Sequence, residues 1–172
     1  MLSLVGAVLV ASATLGQAET PATPLQELGD LLVGRWTGDV TLIADWPGIG
    51  KKGEKIVGHW SVRWIADKRG LEDEGFAGQG TGKAIYFWDA ASKKVRQFTV
   101  DSGGTTGESE IWKQDGQWSF RGTGSLADGT KTEGQGTLVV KDCGNTLIVE
   151  GTGTVGGKAT LPLHDVYRRA SK

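Results

Sequence analysis

Residues 55–64 read Lys55-Ile56-Val57-Gly58-His59-Trp60-Ser61-Val62-Arg63-Trp64. Ile56, Trp60, Val62 and Trp64 fall on one side of an extended chain, and Lys55, His59, Ser61 and Arg63 fall on the other. Successive side chains of a strand point to opposite faces, so this two-residue period describes a β-strand with one dry and one wet face.

The same rhythm spreads in both directions. Upstream, in residues 35–44, Trp36, Val40 and Leu42 alternate with Arg35, Thr37, Asp39 and Thr41. Trp46-Pro47-Gly48-Ile49-Gly50 then reads as a loop. Downstream, strands are expected over residues 71–78, 83–89, 95–101, 107–112, 118–121, 132–140, 147–154 and 159–169. Turn residues such as Asp115-Gly116, Asp128-Gly129 and Gly156-Gly157 separate them, and such pairs between alternating runs mark hairpins. About ten strands result, with connections too short for parallel crossovers. An open meander of that size leaves two exposed edges, so the expected fold is all-β: a single up-and-down antiparallel barrel. Glycine pairs spaced by two (Gly78/Gly80, Gly122/Gly124, Gly134/Gly136, Gly151/Gly153) each clear one face of a strand. That space serves either a ligand or neighbouring Trp side chains.

One short helix precedes the strands. Thr23-Pro24-Leu25-Gln26 offers a capping Thr, a Pro at the first helical position and a Gln three residues after the cap. Leu25, Leu28, Leu31 and Leu32 follow at helical spacing, and Gly34 can stop the run. Before it, Leu2 to Leu15 is uncharged and mostly apolar, and Gly16-Gln17-Ala18 presents small residues around an expected cleavage after Ala18. No basic segment leads it, which points to a translation start upstream of Met1. The run is shorter than the about 20 apolar residues of a spanning helix, so no stable membrane insertion is expected after cleavage. The expected organisation is a signal peptide over 1–18, a short linker over 19–24 and one barrel domain over 25–172. The expected location is periplasmic or secreted.

Several chemistries are disfavoured. The 172 residues carry 19 Lys and Arg against 20 Asp and Glu, with no basic stripe of the kind that neutralises phosphates. A lone Cys143 in a turn permits neither an internal disulfide nor a thiolate zinc site. With only His59 and His164, a histidine-rich metal site is not expected either. Gly151-x-Gly153-x-x-Gly156 matches a dinucleotide fingerprint as a string, but a strand-like segment with Pro162 follows it where a helix is required. Asp101-Ser102 lacks a nucleophile elbow and reads as a turn before Gly103-Gly104. Glu108 and Glu110 share a strand face that alternation assigns to solvent. No pair of residues is nominated for catalysis.

Two short motifs lie at the ends of the strand array: Gly34-Arg35-Trp36 followed by Gly38, and Tyr167-Arg168-Arg169. In a closed barrel the first and last strands are neighbours, so one of the arginines can lie over the Trp36 ring and plug the barrel end. Arg168 and Arg169 point to opposite faces, so only one of them can do so. This Gly-x-Trp plus late-Arg pair resembles the closing signature of the calycins, the lipocalins and fatty-acid-binding proteins. The chain more closely resembles the bacterial lipocalin-like family DUF1579, over Leu32-Val33-Gly34-Arg35-Trp36, Tyr86-Phe87-Trp88-Asp89, Val100-Asp101-Ser102-Gly103 and Tyr167-Arg168-Arg169. That family implies a fold and no settled activity. Gly34-x-Trp36-x-Gly38 is also similar to the opening of the nitrobindins, barrels that bind haem through a late histidine. That resemblance implies His164 as a candidate iron ligand, whereas its neighbours Pro162 and Asp165 suit an exposed strand histidine.

The functional expectation is a barrel holding one small apolar or amphipathic molecule, with no cofactor. Trp60, Trp64, Tyr86, Trp88, Trp112 and Trp118 are the candidate lining residues. They either line a pocket or fill the interior. A haem-binding barrel and a filled, purely structural barrel are the alternatives.

Overall fold

Among the described residues, the one α-helix starts where its first turn is capped from both sides. In the computed structural model, which describes residues 22–171, the Thr23 hydroxyl accepts a hydrogen bond from the Gln26 backbone N–H at 3.3 Å. The Gln26 side-chain oxygen accepts one from the Thr23 N–H at 2.7 Å. Pro24 takes the first helical position, where its missing N–H costs nothing. The resulting helix α1 (Pro24–Leu32) buries Leu25, Leu28, Gly29 and Leu32 on one face. The signal-peptide reading and the cleavage after Ala18 lie outside the described residues.

Strands follow: β1 (Gly34–Thr41), β2 (Lys55–Ile65), β3 (Gly70–Ala77), β4 (Gly80–Asp89), β5 (Lys94–Asp101), β6 (Thr106–Gln114), β7 (Gln117–Ser125), β8 (Lys131–Lys141), β9 (Thr146–Val155), β10 (Lys158–Ala159) and β11 (Leu163–Ser171). From β1 to β9 each strand pairs antiparallel with the next, β9 pairs with β11, and β11 returns to β1. Ten strands thus close an up-and-down barrel, leaving no free edge in the ring. The two-residue β10 is only a hairpin arm on β9. The last strand expected over 159–169 is therefore split. Residues 160–162 leave the ladder around Pro162, which has no N–H to donate, and the closing strand starts at Leu163.

The helix occludes one end of the barrel. Leu25, Leu28 and Leu32 pack in a single core with Trp36, Val62, Leu71, Val95, Trp118 and Leu147. Contact is close enough that a Cβ placed on Gly29 would lie 2.1 Å from Cζ2 of the Trp64 ring. Gly29→Ala is accordingly expected to lower stability by about 1–3 kcal/mol despite alanine's better helix propensity, because Trp64 is already seated. Urea unfolding checks it; an unchanged or raised midpoint contradicts this packing.

At the other end, residues 42–54 connect β1 to β2 and fold over the mouth. Trp46 and Gly50 bridge to each other, and Ile49 packs where a Cβ on Gly80 would come within 2.4 Å of its Cγ1. The Pro47 carbonyl approaches Gly103, where a Cβ would sit 2.0 Å from its oxygen. In β7–β9 the paired glycines serve a third purpose, neither Trp packing nor ligand space alone. A Cβ on Gly136 would fall 1.9 Å from the Glu150 carbonyl oxygen, and one on Gly151 2.3 Å from that of Gln135. These glycines let neighbouring backbones approach each other across the wall.

Candidate functional site

The helix-covered end is closed by a single arginine. Trp36 and Arg169 are cross-strand partners, and the Arg169 guanidinium lies 4.0 Å from the Trp36 ring centroid. Its Nη1 and Nη2 donate to the carbonyls of Val33 and Leu31, each at 2.6 Å, and its Nε donates to Gly144 at 3.0 Å. Trp36 Nε1 donates to Leu32 at 2.8 Å. A helix C-terminus leaves its last carbonyls without partners and favours a positive charge, and this pair supplies both needs. Arg168 points outward and is exposed. The choice between the two arginines thus falls on Arg169. Gly38, two residues beyond Trp36, leaves room for the Tyr167 ring: a Cβ there would lie 2.4 Å from Tyr167 Cδ1.

Above this plug the interior opens into a chamber of about 410 Å³. Leu32 forms its floor and Ile49 reaches into it from the mouth loop. The wall carries Trp60, Tyr86, Ile111, Phe120, Leu138, Val149 and Tyr167. Small residues, Gly75, Ala77, Gly80 and Gly82, line the β3–β4 side and leave the volume unfilled.

Of the six aromatic residues expected to line a pocket, Trp60 and Tyr86 do so. Trp64 and Trp88 pack against the hydrophobic core and Trp118 is part of it, away from the chamber lining. Trp112 must be corrected. Its neighbour Ile111 is the buried residue, so alternation puts Trp112 on the outer face, where Lys94 Nζ lies 5.1 Å from its ring centroid. His164 also faces out. It is exposed, with Nδ1 3.0 Å from the Glu150 carboxylate, so the candidate iron ligand is not directed into the barrel. His59 likewise points outward, next to Thr37.

Sequence reading missed the polar group of the chamber. Asp73, 8% exposed, accepts a 2.5 Å hydrogen bond from the Tyr86 hydroxyl, and the Trp60 side chain and Ala84 backbone lie where they favour its anion. Gln97 Nε2 in turn donates to the Tyr86 oxygen at 2.8 Å. The Tyr167 ring stands 5.7 Å from Trp60, tilted by 57°. Asp73 stands between the charged Glu72 and Glu74, and its parity with the buried Leu71 assigns it to the inner face.

Burial pushes the Asp73 carboxyl above its ordinary range, against the hydrogen bonds that favour the anion. Burial likewise raises the Tyr86 hydroxyl well above its usual value. For Asp73 the folded state holds its proton more tightly than the unfolded state. Its contribution is therefore most favourable at low pH and is lost as pH rises through the folded pKa. Asp73→Asn is expected to gain stability relative to wild type as pH rises from about 4 to 7. Thermal unfolding of both proteins across that range checks it; a difference independent of pH contradicts a raised carboxyl.

The other candidate motifs stand on turns or on the outer face. Asp101 Oδ1 accepts from the N–H groups of Gly103 and Thr105, both at 2.9 Å, and Ser102 Oγ accepts from the Thr81 N–H at 3.0 Å. That is a polar turn, and no histidine joins it. Glu110 bridges to Lys94 at 2.6 Å and Arg121 at 2.9 Å, and Glu108 to Arg96 at 3.0 Å, across the outer surface. Cys143 is exposed in a 3-10 turn. Outside the barrel, Ile85, Phe87, Phe98 and Val100 of β4 and β5 are exposed, with the two phenylalanines stacked at 5.9 Å. No family model matches the chain, and no curated protein is similar enough to be paired with it.

Proposed function

We propose that this protein is an exported binding protein that encloses one small, mainly apolar molecule inside its barrel. The observation that carries the reading is the chamber: about 410 Å³ of unfilled volume, mostly apolar and aromatic on its wall, with Asp73, Gln97 and Asp101 among its few polar residues. Cavities of roughly 300–1,000 Å³ with apolar walls and a few placed polar groups are typical of small-molecule sites. The uncharged run from Leu2 to Leu15 and the small residues before Glu19 support export to the periplasm or beyond. The closure by Gly34, Trp36 and Arg169 supports kinship with the calycins. The bond between Asp73 and Tyr86 fixes a polar contact in the chamber wall that suits a ligand head-group. A haem reading finds less support, because both histidines are exposed and engaged by side chains, His59 by Thr37 and His164 by Glu150.

The test is a titration with the neutral dye N-phenylnaphthylamine, followed by energy transfer from Trp60 and its neighbours. Saturable binding of one dye per chain is expected. A linear, unsaturable rise removes the case for an enclosed site.

A further inference from the structure

We propose that the chamber takes amphiphiles with a cationic, hydrogen-bond-donating head, of the alkylamine class, and that Asp73 is the head-group partner. This rests on the binding reading above and narrows it. Among the described residues that line the chamber there is an acid on β3, Asp73, and another on β5, Asp101, but no Lys or Arg. A third carboxyl, Asp165 on β11, is buried nearby and accepts from the Thr41 N–H at 3.2 Å.

Cations on the strands beside Asp73 are engaged on the outer face. Arg63 and Lys83 face outward, where they bridge to Glu72 at 2.5 and 3.3 Å. Arg169 points inward, but it sits in the plug and gives three hydrogen bonds to backbone carbonyls. A buried carboxyl without a counter-charge is costly to ionise, and a ligand ammonium supplies the missing charge. A ligand carboxylate meets the opposite situation: it is buried beside acids, with the Tyr86 hydroxyl already committed to Asp73. The apolar tail lies against Ile111, Phe120, Leu138 and Val149.

Decylamine, decanol and decanoate share one tail and differ in head-group. Each is used to displace N-phenylnaphthylamine from the wild-type protein at neutral pH and physiological salt. Decylamine is expected to displace the dye at a concentration at least tenfold below that of decanoate, with decanol between them. Asp73→Asn is expected to reduce the amine-to-carboxylate preference by about tenfold. Equal or stronger displacement by decanoate in wild type overturns the inference while leaving the chamber intact. Absence of saturable dye binding removes the chamber reading and this inference together. The wild-type rank order decides the matter even if the Asp73 variant folds poorly.

Discussion

Arg169→Met is expected to unfold about 10 °C below wild type, while Arg168→Met unfolds within about 2 °C of it. The contrast follows from two adjacent residues of identical chemistry on opposite faces of β11. Arg169 satisfies the carbonyls of Leu31, Val33 and Gly144 and covers the Trp36 ring; Arg168 is exposed. Methionine keeps much of the apolar stem but leaves three acceptors without a donor. Each unsatisfied buried acceptor costs about 1–3 kcal/mol, and the lost cation–π contact about 0.5–2. Partial access of water to the barrel end lowers that sum to about 3–5 kcal/mol, a large fraction of the usual 5–15. Equal effects of the two substitutions, by thermal or urea unfolding, contradict Arg169 as the plug.

Gly75→Leu is expected to weaken N-phenylnaphthylamine binding at least tenfold without lowering the melting temperature. Gly75 lines the chamber opposite Trp60 in the β2–β3 ladder. A Cβ there meets only the His59 carbonyl oxygen, at an ordinary 3.7 Å, so the new side chain enters free volume. Leucine also loses less backbone freedom on folding than glycine does, and it buries apolar surface. Gly82→Leu provides a second version, since its Cβ would lie 3.5 Å from the Val100 oxygen. Undiminished binding in both variants, with folding intact, moves the dye to another surface. The exposed cluster of Ile85, Phe87, Phe98 and Val100 is the natural alternative.

Much of the barrel was legible because face and period are local properties. Trp36, Trp60, Val62 and Trp64 read as one inner face, and each is buried or half-buried there. The capping residues Thr23, Pro24 and Gln26 placed the helix start, because the cap bonds lie within four residues of chain. Depth along the barrel axis was not legible. Trp64 points inward as alternation requires, yet it meets Gly29 of the helix and never reaches the chamber. That contact depends on how α1 folds back, which no strand pattern encodes.

Parity was sound at Ile111-Trp112, where the expected lining departed from it. Trp112 shares its strand face with Glu108 and Glu110, which alternation assigns to solvent, yet it stands among the expected lining residues. The structure buries the isoleucine and stacks Trp112 under Lys94 instead, an arrangement an amphipathic indole tolerates. Asp73 was obscured by its two charged neighbours, although Leu71 fixed its side. Its partners Tyr86 and Gln97 come from β4 and β5, so the polar cluster exists only after three strands pair.

A crystal structure of the protein grown with N-phenylnaphthylamine tests the central claim most directly. The account predicts one dye molecule inside the barrel, in contact with Trp60, Tyr86 and Tyr167. Density for the dye only on the outer face, over Phe87 and Phe98, with the chamber collapsed or filled by protein side chains, contradicts it.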